Sequence, residues 1–384
     1  MKKIDWITIS IVTLFIVVVI GIGYLFYHFL RETKVPEIRE KVTPEVGPTL
    51  PPQIITTPTT PEEIEKPEVK EEKEEVKEEK KEEKKEEKLT QLFLKNPVLD
   101  FKIFKDKLYF YDLEDKTLKY YDFNNDLIIP IYKNEKVTQI YWGPNDNIFV
   151  FKVYNEGKSY FVVLDYLNDS VYNLPEEIKE ISFYKDSFVA HYKNSVNYIG
   201  IFDFKGRSLR KLKDVAFEEI LIKPFSDNEV LIFELPSVNV SSYLWVLNLK
   251  DGKMRVISDE STGVFALATS SQILLSTYYE GPNTKVIDRS GKPIIYLPEV
   301  SILEKCTNYT TFVCASSEVS PDEWYSFEKK SLGNEIFVYN LKERNYKIYK
   351  LDESYDIIYP QVYQDWFYFI DKTSWKLYRT RISQ

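Results

Sequence analysis

The sequence predicts an all-β domain, in the form of a seven-bladed β-propeller, carried by one membrane-spanning segment and a long charged stalk. Three observations predict this: an uncharged segment near the N-terminus, a low-complexity region after it, and a repeat of four short apolar strands in the remainder. We expect a transmembrane anchor over residues 1–30, a stalk over residues 31–88 and the propeller over residues 89–384.

The uncharged segment has 22 residues and extends from Trp6 to Tyr27. At about 1.5 Å of rise per residue, a helix of this length is roughly 33 Å long, enough to cross a hydrocarbon core of about 30 Å. A cleaved signal peptide is the alternative, but the segment is longer than a signal-peptide apolar region and lacks a small-residue cleavage site. It therefore predicts a single-pass protein anchored in the lipid bilayer.

Flanking charges do not orient this segment, because Lys2 and Lys3 precede it while Arg31 and Lys34 follow it. The orientation has to be inferred from the C-terminal domain instead.

Cys306 and Cys314, the two cysteines of the chain, lie eight positions apart in that domain. This spacing suits a disulfide across a hairpin with a three-residue loop, and disulfides persist in oxidising compartments. The alternative is a pair of free thiols in a cytosolic domain. We expect the disulfide, and therefore a cell-membrane protein with a cytoplasmic N-terminus and an extracytoplasmic propeller.

Residues 31–88 contain eight prolines, a Thr/Pro tract and a Glu/Lys block. This composition cannot bury an apolar core. In the block, residues 68–88, like charges recur four positions apart, as at Glu78 and Glu82, and each such pair costs a few tenths of a kcal/mol in a helix. We expect a marginal helix or a coil with a reach of roughly 40 Å, which acts as a spacer.

Net charge excludes one class of partner. The stalk carries 13 basic and 18 acidic residues, and residues 89–384 carry 36 and 41, so each part has a net charge of −5. Nucleic-acid binding relies on a basic surface that neutralises phosphates. We therefore expect no nucleic-acid partner.

A unit of about 44 residues recurs from residue 89 onward. Its landmark is an Asp or Asn at the end of an apolar strand, followed by a short turn and another strand. Such a side chain bonds the backbone two residues on and opens a hairpin, so we interpret these residues as structural, not catalytic. They are Asp122, Asp165, Asp203, Asn248, Asp288 and Asn340.

Another pair of short apolar strands precedes each such hairpin, so each repeat supplies the four strands of a propeller blade. Seven repeats can be counted, although the pattern also allows six or eight. The last repeat has three strands, and Thr90–Leu94 is a spare strand that we expect to close the ring. First strands are predicted near Val98, Val137, Ile178, Phe217, Val264, Val300 and Ile357.

The segment WGPNDNIFVF, from Trp142 to Phe151, resembles the WSPDGxxIAF signature of WD40-like repeats in TolB-type propellers, and KPFSDN from Lys223 is a weaker copy. The turn lacks the glycine of the signature. The resemblance therefore implies the fold across about 295 residues and no particular function. The segment KCTNYTTFVCAS, with SPDEWYSF after it, resembles membrane-anchored propellers of unknown function from uncultivated bacteria.

Motifs of common enzyme classes are absent from residues 89–384. Their one histidine, His191, lies in an alternating strand pattern, and no G-x-S-x-G motif accompanies it. Metal-ligand spacings and phosphate-binding glycine loops are also absent, so we expect no cofactor and no metal. A carboxylate pair that folding brings together is invisible in sequence, so an enzyme acting on surface polysaccharide stays an alternative.

In a propeller, the connections between second and third strands share one face with the connections between blades. Three of them are predicted to be long, over residues 235–242, 278–284 and 316–334. We expect this face to point away from the stalk and to bind a protein or a sugar, unless its aromatic residues fold back onto the blades. The candidate residues are Tyr278, Tyr279, Glu280, Asp322, Glu323, Trp324, Tyr325 and Phe327.

These patterns favour a non-catalytic binding or scaffolding module for a protein or glycan of the cell envelope. A polysaccharide-acting enzyme would be distinguished by two carboxylates and basic residues in the central channel. A structural subunit of a surface or secretion assembly is the third class, and it would be distinguished by stable co-purification of its partners.

Overall fold

Antiparallel four-stranded sheets make up nearly all of the structure, a computed structural model that describes residues 90–298, 300, 302–308 and 311–382. The predicted anchor over residues 6–27 and the predicted stalk over residues 31–88 lie outside the described residues. Within the described part of the chain, no helix has the length and apolar character needed to cross a membrane.

Seven such sheets follow one another along the chain, so the fold is a seven-bladed β-propeller. It begins with β1 (Thr90–Leu94). Blade one consists of β2 (Val98–Phe104), β3 (Lys107–Asp112), β4 (Thr117–Asp122) and β5 (Leu127–Lys133). Blade two consists of β6 (Val137–Trp142), β7 (Ile148–Asn155), β8 (Lys158–Asp165) and β9 (Ser170–Asn173). Blade three consists of β10 (Ile178–Tyr184), β11 (Ser187–Lys193), β12 (Asn197–Phe202) and β13 (Ser208–Asp214).

The remaining blades carry two short additions, a two-stranded sheet and one α-helix. Blade four contains β14 (Ile220–Ser226), β15 (Glu229–Glu234), β17 (Trp245–Asn248) and β18 (Met254–Val256), and β16 (Ser241–Ser242) pairs with β19 (Ser261–Thr262). Blade five contains β20 (Phe265–Ala268), β21 (Gln272–Tyr278), β22 (Pro282–Asp288) and β23 (Pro293–Leu297). Blade six has a 3₁₀ turn (Leu303–Lys305), β24 (Cys306–Asn308), β25 (Phe312–Ala315), α1 (Pro321–Tyr325), β26 (Gly333–Asn340) and β27 (Asn345–Tyr355). Blade seven contains β28 (Ile357–Tyr363), β29 (Trp366–Asp371) and β30 (Lys376–Arg381).

The N-terminal strand closes the ring, as predicted. β1 pairs antiparallel with β30 and is the fourth strand of the last blade, with Thr90 opposite Thr380. The side chain and the N–H of Thr90 also bond the carboxylate of Asp352 in blade six. Closure thus joins the two ends of the domain and covers an otherwise unpaired strand edge.

The hydrophobic core lies between neighbouring blades. A middle strand is covered on both faces, and it therefore reads as a nearly continuous apolar run, as in β7 with the sequence IFVFKVYN. Between blades two and three, for example, Val150 and Phe161 pack with Phe188 and Ala190. Fourth strands face solvent, and β13, with the sequence SLRKLKD, is almost entirely exposed.

The repeated Asp and Asn residues have the structural role that the sequence predicts. Five of the six accept a hydrogen bond from the backbone N–H two residues on, as Lys250 N–H donates to Asn248 Oδ1 at 2.8 Å. In the sixth, Asp165, the donor is three residues on. The other four acceptors are Asp122, Asp203, Asp288 and Asn340.

Three details differ from the prediction. The blade-five connection expected over residues 278–284 is a tight hairpin, because pairing continues to Tyr278 opposite Pro282. The first strand of blade four begins at Ile220 and not near Phe217, and that of blade six begins at Cys306 and not near Val300. Two long connections remain on this face, over residues 235–244 in blade four and 316–332 in blade six.

Candidate functional site

The first strands of all seven blades surround a central channel that holds a cavity of about 450 Å³. Charged, aromatic and amide side chains reach this cavity together. They include Asp100, Lys102, Tyr141, Lys223, Glu304 and Tyr359. Two carboxylates and two lysines therefore share one channel, which is the arrangement expected of a polysaccharide-acting enzyme.

Asp100 is a channel acid with a strongly raised pKa. Burial raises the pKa of its carboxyl group from 3.8 to about 7, against the lowering effect of its hydrogen bonds, and nearby Glu304 raises it further. The Trp142 indole N–H donates to Oδ2 at 3.0 Å, and the backbone N–H of Phe101 donates to Oδ1 at 2.6 Å. Near neutral pH this group exchanges a proton readily, which suits either hydrogen bonding or acid–base chemistry.

Glu304, in the 3₁₀ turn before β24, is the second channel acid. Burial raises the pKa of its carboxyl group, and the Tyr325 hydroxyl donates to its Oε2 at 2.9 Å. Tyr359 lies close to both acids, because Asp100 and Glu304 add to the effect of burial in raising the pKa of its hydroxyl.

Glu180 of β10 lies just beyond this cavity. It is 4% exposed, and burial raises the pKa of its carboxyl group, although Lys223 opposes this rise. The Tyr141 hydroxyl donates to Oε2 at 2.8 Å, whereas Oε1 is buried and has no hydrogen-bond partner among the described residues. A buried carboxylate oxygen without a partner is costly, so this atom is a strong candidate for contact with a ligand.

Irregular strand pairing positions several of these residues. In four consecutive blades, seven, one, two and three, the first strand has a register shift near its beginning. Asp100 lies within the shift of β2, and Tyr359 lies within that of β28 with a φ of 53°. Bulges re-aim side chains and are common beside functional sites. The pairing of β20 with β21 and of β24 with β25 is regular.

The structure corrects the prediction for Trp324. Its side chain is 2% exposed, and its indole N–H donates to Asp356 Oδ1 at 3.2 Å. The ammonium of Lys372 lies 3.1 Å from the centre of a ring of Trp324. Trp324 is therefore packed in the interior and cannot serve as an exposed recognition residue, because burial of its large apolar ring is favourable.

Three predicted residues close to Trp324 in sequence make different contacts. Tyr325 points to Glu304 and so belongs to the wall of the channel. Asp322 accepts hydrogen bonds from the side chain of Asn239 at 2.9 Å and from the backbone N–H of Val238 at 3.0 Å, which ties the two long connections together. Glu323 pairs with Lys329 at 2.6 Å.

Exposed aromatic groups remain at two positions of the predicted surface. Tyr279 is 74% exposed at the tip of the blade-five hairpin beside Glu280, which is also exposed, and Phe327 is 71% exposed. Tyr278 is half-buried at the end of β21. The eight predicted residues thus do not form one surface.

The cysteines lie in blade six. Cys306 stands opposite Cys314 in the pairing of β24 with β25, and a disulfide joins them across a Cα–Cα distance of 4.1 Å. His191 is fully buried, and Nε2 of its ring bonds Oδ1 of Asn197, while burial lowers the pKa of the imidazole. Within the described residues, no group of three or more His, Cys, Asp or Glu side chains could hold a metal ion.

Asp100, Glu180 and Glu304 are not among the site residues predicted from the sequence. A signal for two of them was present, since an acid interrupts the apolar first strands VLDFKIF and IKEISFY. Glu304 precedes its strand and carried no such signal.

The chain matches no family model and no curated protein. Its fold is similar to those of solved propellers. An oligogalacturonate lyase in complex with manganese has a TM-score of 0.54 and 14% identity, over 75% of this chain and 90% of that one. A prolyl endopeptidase structure has a TM-score of 0.55 and 11% identity, and the match covers 76% of this chain and 49% of that one. The β-propeller domain of the Trilobed protease from Pyrococcus furiosus has a TM-score of 0.52 and 12% identity, and the match covers 76% of this chain and 97% of that one. At such identities, these likenesses show the fold alone.

Proposed function

We propose that this protein is a single-pass membrane protein whose extracytoplasmic propeller binds a neutral glycan of the cell envelope in its central channel. The observation that carries the proposal is the cluster of acids and lysines that line the channel, together with one oxygen of Glu180, just beyond the cavity, that has no hydrogen-bond partner among the described residues. A ligand hydroxyl group could supply the hydrogen bond that this oxygen lacks.

The mixture of charges favours a neutral ligand. Asp100 and Glu304 would repel an anion, whereas Lys102 and Lys223 would repel a cation. A sugar hydroxyl can donate a hydrogen bond to a carboxylate and accept one from an ammonium group, so it suits both the acids and the lysines of the channel. Tyr141 and Trp142 add aromatic surface of the kind that packs against apolar faces of a sugar ring.

Calorimetric titration of the full-length protein in mild detergent would test glycan binding. The probes are neutral gluco-oligosaccharides with α-1,4, β-1,4 or β-1,3 linkages, with an acidic and a cationic oligosaccharide for comparison. We expect one neutral series to bind and Glu180→Gln to weaken it about tenfold or more, since loss of a hydrogen bond to a charged group costs about 1.5–3 kcal/mol. Glu343→Gln, in the exposed turn between β26 and β27, is the matched control. Binding of the charged probes alone would refute the proposal.

The membrane anchor is supported by the uncharged segment over residues 6–27, and the orientation by the disulfide in blade six. A membrane-impermeant thiol reagent should label Cys306 or Cys314 in intact cells after reduction. Labelling that requires lysis would show that the propeller faces the cytoplasm.

A second candidate function is cleavage of a glycosidic bond. It is favoured by the pKa of about 7 at Asp100, which suits a general acid, and by the presence of Glu304 nearby as a second carboxylate. Release of reducing ends from a bound oligosaccharide, lost in Asp100→Asn, would establish this activity. Binding without any release of reducing ends would favour the non-catalytic function.

A further inference from the structure

A second cavity of about 950 Å³ opens beside the channel on the face that carries the long connections. We call it the groove. Blades two, three and four line it, and the connection over residues 235–244 forms part of its wall through Leu235, Ser237 and Val240. Its volume and that of the channel both lie in the range of about 300 to 1,000 Å³ that is typical of small-molecule sites.

Groove and channel are consecutive along the same two strands. On β10, residues 178–180 line the groove and residues 181–183 line the channel. On β14, residues 220–221 line the groove and residues 222–224 line the channel. The two cavities therefore lie next to each other along both strands.

The hydrogen bond between Tyr141 and Glu180 marks this junction, because Tyr141 lines the channel and Glu180 lines the groove. The unpartnered Oε1 of Glu180 lies at the same point. A second buried atom, Nδ1 of His191, also has no hydrogen-bond partner in the described part of the chain, and His191 lines the groove. Both atoms are polar groups that a ligand in the groove could satisfy.

The groove has the same mixed chemistry as the channel. Lys193 forms an ion pair with Glu218 at its edge, while Leu235 and Val240 are each about half exposed and present apolar surface. Paired charges of opposite sign beside apolar surface suit a neutral, hydroxyl-rich ligand, as in the channel.

The groove wall is held in place before any ligand binds. Asp322 of α1 fixes residues 237–239 by three hydrogen bonds, and β16 pairs with β19 at its far end. A wall that is already ordered loses little conformational entropy on binding, which raises affinity.

We propose that the channel and the groove form one elongated site, which holds consecutive units of a linear neutral glycan across the Glu180 junction. This inference rests on the proposed function and adds the ligand's form: a chain of several units, recognised beyond a single sugar. Glu180 would then contact the glycan at the point where it passes between the cavities.

The test measures the affinity of the full-length protein in mild detergent for the neutral gluco-oligosaccharide series, from one to six units. We expect four units to bind about tenfold or more tightly than one unit. Val240→Trp should fill the groove, so that four units bind little more tightly than one unit does. The affinity for one unit should be unchanged. Val256→Trp is the matched control, because Val240 and Val256 are 51% and 50% exposed and only Val240 lines the groove.

The outcomes separate the two proposals. Equal affinity for one and six units, or a gain with length that Val240→Trp leaves unchanged, would overturn the elongated site and leave the glycan-binding channel standing. Absence of binding at every length would overturn the proposed function, and the elongated site with it.

Discussion

Replacement of Trp324 by Ala should strongly destabilise the propeller. The side chain is 2% exposed and belongs to the core formed where blades one, six and seven meet, together with Ile302 and Ile358. The same change also removes the indole N–H that donates to Asp356. The expected result is thus opposite to that for an exposed loop residue.

The magnitude follows from two contributions. Truncation of a buried Trp to Ala costs about 3–5 kcal/mol, which covers the lost transfer free energy and the cavity. Loss of the hydrogen bond adds less, about 1 kcal/mol, because Lys305 still donates to Asp356 at 2.6 Å. We expect the free energy of unfolding to fall by about 5 kcal/mol, and the melting temperature by roughly 10–20 °C at about 2–4 °C per kcal/mol.

Urea and thermal unfolding of the full-length protein, followed by tryptophan fluorescence and circular dichroism, would measure this. Phe327→Ala is the control in the same connection, since Phe327 is 71% exposed, and it should change stability by no more than about 0.5 kcal/mol. A fall of less than about 2 °C for Trp324→Ala would mean that the loop does not pack as described, and would restore Trp324 as a candidate recognition residue.

Three further predictions concern closure, the disulfide and pH. Deletion of Thr90–Leu94 should lower the melting temperature, while deletion of residues 68–88 should not; equal melting of both would argue against closure by β1. Thiol titration should find no free thiol in the unreduced protein, and Cys306→Ser with Cys314→Ser should cost about 2.5 kcal/mol by the loop-entropy model. Because the pKa of Asp100 is raised, the folded state binds its proton more tightly than the unfolded state does, so the stability contributed by Asp100 should fall as pH rises from about 4 to about 7. Asp100→Asn should remove this fall when the free energy of unfolding is measured by urea titration at several pH values. The same pH profile in the variant and the parent protein would contradict the raised pKa.

The fold could be predicted from sequence because its determinants are local and repeated. The Asp or Asn at the end of six of the seven third strands needs only its own turn, as Asn248 and Lys250 illustrate. The missing strand of the last repeat and the spare β1 gave the closure by simple counting. Strand starts were less accurate, because the residues before β24 include Val300 and Ile302, which are apolar like those of a strand.

The candidate site depends on contacts that no local pattern encodes. Asp100 and Glu304 are about two hundred positions apart in sequence and influence each other only because the ring closes. An aromatic residue among acids, such as Trp324, suits both an exposed patch and a buried anchor, and only the fold decides between them. Tyr325 was predicted as part of an exposed loop surface, whereas in the fold its hydroxyl contacts Glu304.

Two buried charged groups in this propeller differ in a way that separates structure from function. Lys305 is fully buried, but it pairs with Asp356 at 2.6 Å and donates to the Ser331 carbonyl at 2.8 Å, so its charge is compensated within the fold. The Tyr141 hydroxyl donates to Oε2 of Glu180 and the backbone N–H of Ile222 helps to lower its pKa, but Oε1 has no hydrogen-bond partner among the described residues. A satisfied buried pair stabilises a specific packing, whereas an unsatisfied acid lowers stability unless another molecule completes its bonding. The incomplete group lies where two cavities meet, and the complete group does not line either cavity. This contrast is why the channel and groove, and not the blade-six network, form the candidate site.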